Sequence, residues 1–260
     1  MFEGLYIGAT GMRAQQANVD TIANNLANAN TTGFKKSRVS FSELVTTPGL
    51  QANGNPLDAT SSQLLMASAG VGVSSMSKSF EVGELRKTES MLDVAIQGEG
   101  FFEVLQQDGT SAYTRSGSLK VSKDNQLSLN GMILTPGIYV PDDAQQIEID
   151  KEGRVSVRSS GQSASVEIGQ LELVRFANQT GLKAQGEGIY LATESSGQPI
   201  SIAHGTGDGS SVAQGYLESS NVKMLDEMVS LMIAQRAYEA NVKVVQAADE
   251  MLGLVNSLRK

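Results

Sequence analysis

The 260 residues carry a formal net charge of −8, no cysteine or tryptophan, 27 glycines and only 5% aromatic side chains. The acidic balance works against binding to phosphate backbones, and the missing cysteine removes disulfides, thiolate catalysis and thiolate zinc sites. The length suits one large domain or two ordinary ones, and no stretch approaches the roughly 20 apolar residues that span a bilayer, so a membrane-spanning chain is not expected.

The first segment, MFEGLYIGATGMRAQQ, has no basic leader, continuous apolar run or small-residue cleavage site, which predicts a chain without a cleaved secretory signal. Apolar groups recur every seven residues at Leu5, Met12, Val19 and Leu26, with Ile22 and Ala29 three residues after the last two, the spacing of a helix seam. Thr31, Thr32 and Gly33 then supply a stop, because glycine beyond a helix end takes the left-handed conformation at no steric cost. The helix is expected to end near Asn30. Five of the thirteen residues from Asn18 to Asn30 are Asn, a residue of mediocre helix propensity. Asn24 and Asn28 lie four apart on one face and read as a polar, register-setting seam between subunits, with Asn25 and Leu26 in the same expected assembly interface. Amides simply facing water are the plainer alternative.

Residues 46–79, with Pro48-Gly49, Asn53-Gly54 and many Ser and Ala, read as a hairpin arm or a disordered loop. The period then shifts from 3.6 to 2. Leu92, Val94 and Ile96 alternate with Asp93, Ala95 and Gln97, and Ile147 and Ile149 face Val155 and Val157 across a turn at Lys151–Arg154. Asn130-Gly131 joins Leu127 and Leu129 to Met132, Ile133 and Leu134 as a two-residue hairpin turn, since both positions accept positive φ. Further strands are expected near Phe101–Leu105, Val166–Phe176 and Ile189–Ala192. Met224, Leu231, Tyr238, Val245 and Leu252, again spaced by seven, predict one long helix over about 222–257. The expected fold is α+β: long N- and C-terminal helices pairing as a coiled coil, a central mainly antiparallel β domain, and an extended loop or hairpin arm. The expected divisions are an assembly helix over 1–34, a linker or arm over 35–84, a β domain over 85–214 and a second assembly helix over 215–260.

Residues for chemistry are sparse. His204 stands alone in a glycine-rich loop, and Gly205, Gly207 and Gly209 lack the strand before and helix after that make a phosphate cradle. Asp142, Asp143, Glu148, Asp150 and Glu152 lie in or beside turns, where charge is ordinarily solvated. Asn30-Thr31-Thr32 and Asn178-Gln179-Thr180 fit a glycosylation sequon that short chance matches also produce. Lys35, Lys36 and Arg38 form a basic patch too short for a nucleic-acid footprint, for which a solvated turn or an intersubunit contact suffices. No catalytic, cofactor-binding or metal-binding residue is expected.

Three motifs carry a resemblance. ANNLANANTTGFKKSR from Ala23 resembles the N-terminal signature of the flagellar rod and hook proteins. LDVAIQGEGFFEV from Leu92, followed by AYTRSGSL from Ala112, resembles the start of their central β domain, and Gly215–Leu252 resembles their C-terminal helix through its SNV and QRAYE elements. Within that family the length, ANNLAN and MIAQRAYEAN are most similar to distal-rod subunits. The resemblance implies a structural subunit that polymerises with copies of itself, contacts neighbouring rod and hook proteins and surrounding bushing rings, and is exported through the flagellum's own type III apparatus. It also implies a rigid hollow shaft crossing the periplasm, its inner tube lined by paired terminal helices with Leu5, Met12, Val19 and Leu26 against Met224, Leu231, Tyr238, Val245 and Leu252. Residues 46–79 occupy the place of a distal-rod extension without matching it in sequence, which leaves proximal-rod and hook assignments open. A wall-cleaving enzyme and a monomeric binding module are the rival classes.

Overall fold

The computed structural model describes residues 2–46, 67–159, 164–202 and 210–257. His204, the glycines around it, Pro48-Gly49 and Asn53-Gly54 lie outside the described residues. The chain divides into two compact units: Met1–Leu26 with Ser37–Ser77 and Met224–Lys260, and Ala27–Lys36 with Lys78–Lys223.

The first unit holds both heptad segments as helices packed on each other, α1 (Phe2–Ala27) and α2 (Met224–Ser257). At 34 residues α2 is about 50 Å long. Helix α1 stops three residues short of Asn30, because the Thr31 amide turns back to the Asn28 carbonyl at 3.1 Å and the Phe34 amide to the Thr31 carbonyl at 3.3 Å. Gly33 takes the left-handed φ of +68° expected of a stop. Two strands of the same unit, β1 (Ser37–Thr46) and β2 (Ala67–Lys78), pair as a two-stranded arm.

The second unit is antiparallel β throughout its described pairings. Its main sheet runs Lys183–Gly186, Ile189–Leu191, Ser111–Thr114, Phe101–Leu105, Met132–Leu134, Leu127–Leu129, Leu119–Val121, with Leu173–Arg175 joined to Phe101–Leu105 and to Ile200–Ile202. Both faces of this sheet are covered, and the alternation of side chains along a strand shows it. Phe102, Ala112 and Leu173 enter an aliphatic core with Val104, Leu127, Leu129 and Leu134, whereas their neighbours Phe101, Tyr113 and Val174 enter an aromatic cluster with Phe176 and Tyr190. The rings meet edge to face, as with Tyr113 and Phe176 at 4.8 Å between centroids.

The hairpins follow the sequence spacing closely. Ile147 pairs with Val157 and Ile149 with Val155, and Asn130 and Gly131 turn with φ of +50° and +79°. The Val166–Phe176 stretch is two strands, Val166–Gln170 and Leu173–Arg175, that belong to different sheets. In Val94–Gln97 the expected one-sided alternation is absent: Val94, Ala95 and Ile96 are all buried, and the strand pairs with Ser211–Gln214.

Candidate assembly surface on the helix pair

The packed face of α1 is built from small and polar residues. Gly8, Gly11, Ala14, Thr21, Ile22 and Asn25 are buried, and the row Gly11, Asn18, Asn25 lies one residue, about 100°, round the helix from Met12, Val19 and Leu26. On α2 the buried positions are Glu227, Ala234 and Ala248, with Leu231, Asn241, Val245 and Leu252 half-buried. A Cβ on Gly8 would stand 2.6 Å from Val245 Cγ2 and one on Gly11 2.9 Å from Asn241 Nδ2. The helices therefore touch where glycine permits it. Gly8 beside Val245, Gly11 beside Asn241 and Asn25 beside Glu227 are the contacts of an antiparallel pair.

Asn25 anchors one end of that pair. It is 2% exposed; its carbonyl accepts the Ser37 amide at 2.8 Å, while its amide nitrogen donates to the Ser37 carbonyl at 2.9 Å and to Glu227 Oε2 at 3.2 Å. The side chain thus mimics a strand partner for the first residue of β1 and also satisfies a buried carboxylate, which explains an Asn inside a helix better than propensity does. At the other end Val71 N–H donates to Thr10 Oγ1 at 3.4 Å, and Gly70 lies so close that a Cβ would meet that oxygen at 2.2 Å.

The sequence-derived interface residues divide between flank and outside. Leu5, Met12, Val19 and Leu26 are half-buried beside the small-residue row, as are Leu231, Val245 and Leu252 on the facing helix. Asn24 is exposed, and Asn28 sits half-buried just past the helix end, where its side chain accepts from Thr31 Oγ1 at 3.2 Å. Met224 and Tyr238 face outward, and they are not alone. Leu225 is 78% exposed, Ile233 64% and Met232 59%, although Glu227 between them is 5% exposed. The first turns of α2 are inverted, with a carboxylate inside and large apolar groups outside. Large apolar groups exposed to this extent on one helix are unusual for a face left to solvent.

The chain has no native cysteine, so its helix register can be tested by cross-linking. Given the 2.6 Å approach to Val245 Cγ2, the two Cβ atoms at positions 8 and 245 lie within disulfide range, about 3.5–4.5 Å. In the assembled polymer, Gly8→Cys with Val245→Cys is expected to oxidise to an intrachain disulfide read by mass and gel mobility, whereas Gly8→Cys with Leu231→Cys, over three turns away, is expected to stay reduced. Equal oxidation of both pairs would refute the antiparallel register.

The turn carboxylates that an acid–base pair would draw on are engaged elsewhere. Asp150 pairs with Arg154 Nε at 2.8 Å, Glu148 with Arg158 at 3.7 Å, and Asp142 accepts from Asn125. Among the described residues no group of three or more His, Asp or Glu is placed to hold a metal ion, and no helix is long and apolar enough to cross a membrane.

Comparison with known proteins matches all three parts of the chain. Residues 5–35 match the family described as flagella basal body rod protein, residues 95–157 the flagellar hook protein FlgE/F/G D1 domain, and residues 213–258 the flagellar basal body rod FlgEFG protein C-terminal family. Similar over its whole length is the flagellar basal-body rod protein FlgG of Borreliella burgdorferi, 42% identical over 267 residues with both chains fully covered. The FlgG of Buchnera aphidicola subsp. Schizaphis graminum is 41% identical over 99% of this chain and 100% of its own, and that of Bacillus subtilis is 35% identical over 100% of both.

Proposed function

The chain belongs to the flagellar basal-body rod protein family, and from that premise we propose that it builds the distal rod, with α1 and α2 paired as a coiled coil lining a hollow shaft. It is a structural subunit of the flagellar rod and not an enzyme. Full-length similarity to several FlgG proteins favours the distal rod over the proximal rod or hook. The subunit would cross the periplasm as part of a polymer, reach it through the flagellum's type III apparatus, and meet neighbouring rod and hook proteins and the surrounding rings.

One observation carries the assembly reading: the inversion at the start of α2, where Leu225, Met232 and Ile233 point away from α1 and Glu227 points towards it. Neighbouring copies supply the cover. Each fully buried side chain of this size contributes about 1.5–3 kcal/mol, multiplied along a helical array. The proposed contact set is Leu5, Met12, Val19 and Leu26 with Asn24 and Asn25 on α1, Asn28 just past its end, and Met224, Leu231, Tyr238, Val245 and Leu252 on α2.

The interior of the helix pair is made largely of Gly, Ala and amides, so pairing alone buries little apolar area. Ordering the backbone costs about 1–2 kcal/mol per residue. Helix formation and polymerisation are then one event. Limited proteolysis of the monomer is expected to degrade residues 3–26 and 226–257 and to spare the β unit; protection of 3–26 in a confirmed monomer would overturn this. The assignment itself is tested by immunogold electron microscopy of purified hook–basal bodies. Label on the shaft below the hook is the expected result, label along the hook would reassign the part, and absence from the structure would sink the reading.

A further inference from the structure

The motifs that mark this chain are more than a hundred residues apart in places, and they converge on one buried charge cluster inside the β unit. Glu218 accepts from Lys35 Nζ at 2.7 Å, from Arg115 Nε at 2.8 Å and from the Gly83 amide at 2.8 Å. All three charged residues are at most 2% exposed. Arg115 Nη2 donates to the carbonyl of Gly98 at 2.8 Å and Nη1 to that of Gly100 at 3.0 Å, and both glycines have positive φ. Lys35 Nζ also donates to the Glu81 carbonyl at 2.6 Å.

Main-chain bonds close the same crossing. The Gly33 amide donates to the Glu218 carbonyl at 2.8 Å and the Ser79 amide to the Lys36 carbonyl at 2.9 Å. Asn221 Oδ1 accepts the Lys36 amide at 2.8 Å while its Nδ2 donates to the carbonyls of Ser79, at 2.8 Å, and Glu81, at 3.2 Å. Three separate chain segments, 33–36, 79–83 and 218–221, are thereby tied together. These are the segments that follow α1, follow the arm and precede α2.

We propose that this Lys35–Glu218–Arg115 cluster with Asn221 is a clasp, closed already in the monomer, that holds the chain's exits towards both assembly helices at a fixed separation before those helices form. The inference rests on the rod reading for its purpose, but the clasp belongs wholly to the β unit. Its effect is that of a short linker: it confines the end of α1 and the start of α2 to one small volume, raising their effective concentration, so pairing does not begin with two free ends. It also explains why a family signature follows the first helix and another precedes the last. Two cations share one carboxylate, so the cluster is overcharged. Burial pushes Lys35 below the ordinary lysine value; Glu218 opposes that shift and Arg115 adds to it.

The charge count makes the test asymmetric. Removing Glu218 strands two buried cations, whereas removing Lys35 leaves a balanced Arg115–Glu218 pair. Hydrogen exchange of the full-length monomer is expected to be at least about 100-fold slower at residues 33–36, 79–83 and 216–221 than at 5–20 of α1. Glu218→Gln is expected to speed exchange in those three segments at least tenfold while residues 101–105 and 127–134 stay protected. Lys35→Met is expected to do much less, and Lys35→Met added to Glu218→Gln to restore part of the protection. Should Glu218→Gln fail to fold, Asn221→Ala serves in its place, with the same three segments opening. Exchange at 33–36 and 216–221 as fast as in α1, or a Lys35→Met loss equal to that of Glu218→Gln, would overturn the clasp. Neither outcome depends on where the subunit sits in the flagellum, which the electron microscopy decides separately.

Discussion

Ile233→Asp is expected to abolish polymerisation while leaving the monomer's β unit unchanged. Ile233 is 64% exposed on α2 and touches no core of its own chain, so its substitution costs the monomer almost nothing. In a polymer that covers this face, the change removes about 1.5–3 kcal/mol of apolar burial and places a carboxylate in an interface with no partner, a further cost of several kcal/mol. Each 1.4 kcal/mol is tenfold. The critical concentration for pelletable polymer should therefore rise by at least about 100-fold, and cells carrying the variant should lack complete rods. Leu231→Asp makes a useful comparison. Leu231 is half-buried beside the contact between the helices, so this variant is expected to lose both the pair and the polymer. Arg236→Ala, on an exposed side chain paired with Glu239 three residues on, should assemble normally. Polymer from Ile233→Asp at wild-type concentration would remove the outer face of α2 from the interface.

What the sequence made legible was whatever repeats locally. The heptads located both helices, and Asn130-Gly131 and the Ile147–Val157 alternation located two hairpins with their registers, because turn chemistry and period act over a few residues. Which face of each helix turns inward was not legible. A hydrophobic period points to Leu, Met and Val, but the helices approach along Gly8, Gly11 and Ala14, where small size and not apolarity decides. Nor does a hydrophobic period mark Glu227 as an interior residue, since what justifies its burial is Asn25, 202 positions earlier.

The charge clasp was hidden for the same reason. Lys35 reads in sequence as one of three cations in a solvated turn or an intersubunit contact, yet it is fully buried within its own chain. The correction follows from long-range pairing: Glu218, 183 positions away, compensates a charge that no local rule would put inside. Motif resemblance did flag TTGFKK, QGEGFF, TRSGSL and GYLESSN, and the structure supplies the physical link between them. A motif can thus be recognised long before its reason is visible, when that reason is a contact between motifs.

Gly117→Ala is expected to have the largest effect on the β unit of any small substitution in the chain. A Cβ at this position would stand 1.5 Å from the Val94 carbonyl oxygen and 2.7 Å from its carbon. No rotamer relieves that clash, because the obstruction is backbone. The Val94 amide donates to the Gly117 carbonyl at 2.9 Å and the Leu119 amide to the Leu92 carbonyl at 3.0 Å, so moving either strand breaks the bonds that hold the two together. Val94 and Ile96 are fully buried, and shifting their strand opens the aliphatic core as well. The sum exceeds about 4 kcal/mol, a large share of the roughly 5–15 kcal/mol that stabilises a domain. At about 2–4 °C per kcal/mol for a unit of this size, thermal unfolding should fall by at least about 10 °C or the unit should fail to fold. Gly137→Ala is the control, since its Cβ would meet only Gln126 Nε2 at 3.7 Å, ordinary contact, and should change stability by less than about 1 kcal/mol. Unaltered unfolding of Gly117→Ala would mean that the 92–94 strand does not lie on residues 117–119, and with it the seating of Arg115, two residues away, would have to be redrawn.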